Sequence, residues 1–153
     1  MIFPADRPEL VAAARRLFEE YAASLGFDLG FQGFEAELRG LPGAYAPPGG
    51  VLLLARDAAG SAGCVALRQL DPASGEMKRM YVRDRCRGSG LGRRLALAVI
   101  EEARKRSYRR IVLDTLPKLT TAIALYRTLG FREIAPYLAS PTPGAVCFEL
   151  KLS

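Results

Sequence analysis

The 153-residue chain is 50% hydrophobic and 25% charged, the balance of a globular fold long enough for a substantial core. It contains no histidine, which excludes triads, metal sites and general bases built on imidazole, and its three scattered cysteines (Cys64, Cys86, Cys147) offer neither metal-ligand spacing nor a disulfide framework. The net charge is +6 and much of it is local: seven Lys and Arg stand between Lys78 and Arg94 against one acid, Asp84.

No apolar run approaches the length of a membrane span, and Asp6, Arg7 and Glu9 interrupt the N-terminus where a secretory leader would be apolar. The chain therefore reads as cytoplasmic. Met1-Ile2-Phe3 is a short first strand cut by Pro4. A helix is predicted from about Asp6, where Asp6 and Glu9 have capping-box spacing and Pro8 is tolerated in the first turn. Leu10, Ala14, Leu17, Phe18, Tyr21 and Leu25 mark its apolar face. A turn rich in glycine and aromatics follows, Gly26 to Phe31, and then a short helix over Gly33–Arg39, ended by Leu41-Pro42-Gly43.

Strands are predicted at Val51–Arg56, Ala62–Leu70 and Glu76–Val82, separated by turn residues at 58–61 and 71–75. A helix is predicted from about Ser89 to Arg106, with Leu91, Leu95, Val99 and Ala103 inward. Ile111–Asp114 is a short strand. A helix over Leu119–Leu129 stops at Gly130, a left-handed cap with Phe131 folding back. Two last strands, 131–138 and 145–152, flank Ser140-Pro141-Thr142-Pro143-Gly144. The order predicts an α/β fold: a mixed, mostly antiparallel sheet of about six to seven strands flanked by about four helices. The chain, 1–153, reads as a single domain.

The segment with most chemistry is Arg85-Cys-Arg-Gly-Ser-Gly-Leu-Gly-Arg-Arg94, a glycine-rich loop that runs into a helix. Glycines let the main chain approach a ligand closely, and free N–H groups at a helix start favour an anion. A dinucleotide fold is the first rival, with Asp114 placed as a ribose-binding acid. It fails because Arg93 stands where a third glycine belongs and the loop follows an antiparallel hairpin. Nucleic acid is the second, and no aromatic pattern for base stacking interleaves with the arginines.

The run Glu76-Met77-Lys78-Arg79-Met80-Tyr81-Val82 followed by Arg85-x-x-Gly88-x-Gly90 resembles the core signature of the GCN5-related N-acetyltransferase (GNAT) superfamily. A second block, Leu113-Asp114-Thr115 and then Ala122-x-x-Leu125-Tyr126-x-x-x-Gly130-Phe131, resembles the same family. The resemblance implies the acyl-CoA N-acyltransferase fold, acetyl-CoA as donor without a metal, and an amine acceptor, either a small molecule or a peptide. It implies neither nucleic acid nor membrane as partner, and it leaves a homodimer open. A non-catalytic acyl-CoA sensor of the same fold is the alternative.

The resemblance also assigns roles. Met80, Tyr81 and Val82 border the pantetheine arm, and a main-chain N–H there polarises the thioester carbonyl. Arg85, Arg87, Gly88, Ser89, Gly90, Leu91, Gly92 and Arg93 surround the phosphates, with Arg94 nearby. Glu76 matches a catalytic glutamate and Tyr126 a tyrosine that protonates the departing thiolate. Their plainer alternatives are a glutamate paired with Lys78 or an arginine, and a core aromatic. Cys86 reads as a loop residue without a catalytic role. Lys78 and Arg79 are either contacts for an acidic acceptor or a solvated strand face. Phe27, Phe31 and Phe34 lie where the family covers its acceptor, or simply pack. Leu119 stands where many members carry asparagine, so one cofactor hydrogen bond is expected to be missing.

Overall fold

The computed structural model describes residues 1–26, 33–138 and 142–153. The expectations at Phe27, Phe31, Ser140 and Pro141 lie outside the described residues. In chain order the elements are β1 (Ile2–Pro4), α1 (Pro8–Leu25), α2 (Phe34–Gly40), β2 (Val51–Asp57), β3 (Gly60–Asp71), β4 (Ser74–Val82), α3 (Leu91–Lys105), β5 (Arg110–Thr115), α4 (Thr120–Thr128), β6 (Arg132–Ile134) and β7 (Val146–Lys151). Short 3-10 turns sit at Gly43–Tyr45 and Asp84–Cys86.

The strands form one sheet in the order β1-β2-β3-β4-β5-β7-β6. Its single parallel pair among the described strands is β4–β5, and α3 makes that crossover. Strand alternation divides the core. Leu52, Leu54, Cys64 and Ala66 face α1 and α2, where Leu10, Leu17 and Phe18 are buried. Val51, Leu53, Val65 and Leu67 face α3, where Leu95, Val99 and Ala103 are fully covered. Each such large aliphatic side chain contributes about 1.5–3 kcal/mol of transfer free energy. No described helix is long and apolar enough to cross a membrane.

The elements match the expected order, with differences at their ends. Helix α1 begins at Pro8 with Arg7 as N-cap and no side-chain cap, so the Asp6/Glu9 capping box does not form. Helix α3 begins at Leu91 because Gly90, at φ 83°, turns the chain just before it. Strand β6 ends at Ile134, not near 138, because β7 pairs only with residues 132–134. The C-terminus of α4 has the expected closure. Gly130 is left-handed (φ 99°), the Phe131 N–H donates to Tyr126 O at 3.0 Å, and the Phe131 ring lies 5.7 Å from that of Tyr126.

Candidate active site

The pairing of β4 with β5 covers only Ser74–Arg110, Gly75–Ile111 and Glu76–Val112. Beyond Glu76, β4 continues along β3 and β5 along β7, so the sheet splits into a narrow slot. Tyr21, Met80, Asp114, Leu119, Ala122 and Tyr126 line it. Leu119 presents only aliphatic surface there, as the sequence led one to expect.

A bulge shapes one wall. Between the pairs Cys64–Tyr81 and Ala66–Lys78, two residues of β4 oppose one of β3. Arg79 takes the left-handed conformation (φ 59°) that this requires, although it is not glycine. Its guanidinium makes two bonds to Glu37 of α2, Nε to Oε2 and Nη2 to Oε1, both 2.9 Å. Tyr45 donates to the same carboxylate, and Arg79 lies 5.2 Å above the Phe34 ring. Lys78 and Arg79 therefore both reach the α2 side of β4, where strict alternation would separate them.

Past the end of β4 the Gly-rich loop turns twice through left-handed glycines, Gly88 (φ 80°) and Gly90 (φ 83°). Helix α3 starts with no side-chain cap and no acid in its first turn, so the N–H groups of Leu91, Gly92 and Arg93 are the unsatisfied donors of any helix start. Arg87, Arg93 and Arg94 are exposed around it. Open backbone donors, a positive helix end and mobile cations suit a polyphosphate group.

The arginines of this segment divide by role. Arg85 is bound to Asp57 through both terminal nitrogens, at 2.7 and 3.1 Å, and to Ser61 O, which fastens the loop to the β2–β3 turn. The hydrogen bond from Arg85 is the largest influence on Asp57 and helps bring its carboxyl down to about 2. Arg83 clasps Glu20 of α1 at 2.6 Å. Arg87 donates to Val82 O and pairs with Asp84, and Arg93 makes one long contact to Thr128. Ser89 is turned to Cys86 O at 2.5 Å. Cys86 is buried against the α3 core.

Glu76 is fully buried. Its Oε1 accepts from Arg68 Nε at 2.5 Å and its Oε2 from the Tyr137 hydroxyl at 2.5 Å, with Lys78 Nζ 3.9 Å away. The sequence offered pairing with Lys78 or an arginine as the plainer role, and the close partner is an arginine, Arg68. A catalytic Glu76 must exchange protons through a neighbour, since no part of it is exposed.

Tyr126 packs against Phe131 and Phe148, and its side chain borders the slot. Its hydroxyl has no hydrogen-bond partner among the described residues, yet no described side-chain oxygen or nitrogen is both buried and unpartnered. Tyr126 is only 4% exposed and borders the slot. Burial pushes its pKa up, so it stays protonated at neutral pH.

On the α2 side of the hairpin lies a cavity of about 320 Å³, bounded by Ala36, Glu37, Tyr45, Arg68, Lys78 and Arg79 among others. Lys78 and Arg79 line both this cavity and the slot, so the two spaces share a wall at the β4 bulge. Neither residue is on a solvated face: the Lys78 side chain is only 10% exposed. Phe34 is buried beneath Arg79.

Three site residues escaped the sequence reading. Arg68 stands opposite Glu76 in the β3–β4 register, a position that counting back from the hairpin turn would reach. Glu37 and Tyr137 join their partners from 42 and 61 residues away, and no local pattern signals them.

Comparison with known proteins identifies the family and the fold. The model of the acetyltransferase (GNAT) family matches residues 11–131. An uncharacterized N-acetyltransferase of Schizosaccharomyces pombe is 41% identical over 141 residues, covering 91% of this chain and 86% of its own. The crystal structure of an acetyltransferase from Streptococcus agalactiae superposes with a TM-score of 0.83 at 21% identity, covering 99% of this chain and 98% of its own. A GNAT family acetyltransferase from Elizabethkingia anophelis, solved with acetyl-CoA bound, gives a TM-score of 0.58 at 25% identity over 67% of this chain and 76% of its own.

Proposed function

Since the chain belongs to the GNAT acetyltransferase family, we propose that it transfers an acetyl group from acetyl-CoA to an amine, with both substrates bound together. The observation that carries this reading is the junction at Lys78 and Arg79. There the slot between β4 and β5 shares a wall with a separate cavity, large enough for a small acceptor, and the Gly-rich loop follows directly after β4. The relative solved with acetyl-CoA bound supports the choice of donor.

In this reading the N–H groups from Gly88 to Arg93 hold the phosphates, and Arg87 and Arg93 add charge. Arg85 acts mainly through the loop, because its guanidinium is committed to Asp57. Met80, Tyr81 and Val82 border the pantetheine arm, and Ser89 and Leu91 contribute backbone. The β4 bulge leaves a main-chain N–H outside the ladder to polarise the acyl carbonyl.

An aliphatic amine, with pKa about 10.4, is mostly ammonium at neutral pH and must lose a proton before it attacks. Glu76 is the base. The proton reaches it through Tyr137, whose hydroxyl accepts one proton while passing its own to Oε2. The amine nitrogen bonds to the acyl carbon as the carbon–sulfur bond breaks, and the Tyr126 hydroxyl donates to the departing sulfur. Proximity does much of the work, because both reactants are held in adjoining spaces. The test is amine-dependent release of CoA thiol, followed in Tyr126→Phe and Gly90→Asp variants.

A further inference from the structure

Resting on the acyltransferase reading, we infer that the acceptor is a small amine that also bears a carboxylate, seated against Arg68 and Lys78.

The charges of the α2-side cavity point to this class. Arg68, Lys78 and Arg79 bring three cations to it. Among the described residues two carboxylates answer them, and both are already engaged. Glu37 takes two bonds from Arg79 and one from Tyr45. Glu76 takes Arg68 Nε and Tyr137, with Lys78 at a loose 3.9 Å. Among the described residues these three cations face two anions, so positive charge predominates at this wall of the cavity.

Arg68 shows where that charge is offered. Among the described residues only its Nε has a hydrogen-bond partner, and no described side-chain nitrogen is both buried and unpartnered. Its two terminal nitrogens are therefore accessible, and Arg68 borders the cavity. A guanidinium edge of this kind matches the two oxygens of a carboxylate. Lys78 lies beside it, one alternation along β4, nearer the junction with the slot. A carboxylate at Arg68 then leaves the amine of the same molecule directed toward the bulge.

The same charges reject other acceptors. A diamine, a polyamine or a lysine-rich peptide would bring a second cation against Arg68 and Lys78. The volume of about 320 Å³ fits a molecule of amino-acid size.

The experiment compares three acceptor series at saturating acetyl-CoA: ω-amino carboxylates from glycine to aminovalerate, alkylamines of matching length, and α,ω-diamines. Thiol release is read for each. The best amino carboxylate is expected to exceed its matching alkylamine and diamine in kcat/KM by about tenfold or more. Arg68→Lys should raise its KM about tenfold while leaving the KM for acetyl-CoA unchanged, and Lys78→Gln, whose side chain also lines the slot, should raise the KM of the amino carboxylate more than that of acetyl-CoA. Arg68→Lys keeps the charge beside Glu76, so the fold is protected. Preference for alkylamines, diamines or aminoalkylphosphonates overturns the inference, as does discrimination that survives both variants.

Calorimetric titration of butyrate and of butylamine into the CoA-loaded protein asks the same question without turnover. Butyrate binding that Lys78→Gln weakens supports the inference even if no amine is acetylated, an outcome that would instead overturn the acyltransferase reading. Butylamine binding in preference to butyrate overturns the inference alone.

Discussion

Arg68 and Glu76 face each other at one register position of β3 and β4, and the Arg68 Nε donates to Glu76 Oε1 at 2.5 Å. The contact fixes a carboxylate with no exposed surface close to the wall shared by the slot and the α2-side cavity. In the proposed mechanism Glu76 therefore exchanges its proton through a neighbour.

Glu76→Gln keeps the shape of the side chain and removes its basicity. Its kcat should fall about a hundredfold, and that of Tyr137→Phe by about tenfold, with the KM for acetyl-CoA unchanged in both. Steady-state kinetics together with thermal melts check this. A Glu76→Gln protein that melts lower but turns over at full rate would make the carboxylate a clasp for Arg68 and nothing more.

Tyr126→Phe isolates a hydroxyl that has no partner among the described residues. The ring contacts to Phe131 and Phe148 remain, so Tm should stay within the range of a neutral surface change. The kcat should drop by about ten- to a hundredfold as the leaving sulfur loses its donor. Unchanged kcat would return Tyr126 to a packing role.

Gly90→Asp tests the anion site. A Cβ at Gly90 meets no neighbouring atom, but any residue other than glycine at φ 83° carries backbone strain, so a thermal melt accompanies the binding measurement. The fold should survive. A carboxylate before the first free N–H groups of α3 should weaken acetyl-CoA binding by about tenfold or more, read by calorimetry.

Legibility from sequence followed the range of the interactions. Helices α1 and α3 were visible because burial of Leu10, Leu17, Leu91 and Leu95 imposes a helical period. The α4 stop was visible because Gly130 and Phe131 serve as a local cap. The loop was visible because its two left-handed positions both demand glycine. The bulge was not, since Arg79 occupies a left-handed position without the glycine that would mark it. Partners such as Glu37 and Tyr137 were not, because only the completed sheet brings them to β4. The start of α1 was misjudged because Asp6 and Glu9 had the spacing of a cap, while Pro8 takes the first helical position and makes Arg7 the N-cap.

Alkaline pH supplies a test of packing around the site. All six tyrosines have pKa values raised by burial, Tyr126 and Tyr137 among them. Unfolded phenols titrate near 10. Folded-state values above this mean that the tyrosines' contribution is complete below about pH 10 and is lost as pH rises toward the folded values. Absorbance at 295 nm should show fewer phenolates at pH 10 than six free tyrosines would give. Their appearance should coincide with loss of tertiary structure. Normal titration of all six in the folded protein would contradict the burial of Tyr126 and Tyr137.

The central claim is acyl transfer from the slot to an amine in the adjoining cavity. Its most direct measurement counts both products: CoA thiol by a colorimetric reagent and N-acetylated acceptor by mass spectrometry, in one reaction. The account predicts equal amounts of each, formed only when an amine is present. Tight acetyl-CoA binding with no amine-dependent thiol release, across amino carboxylates, alkylamines, diamines and peptides, would contradict it and leave a non-catalytic acyl-CoA sensor.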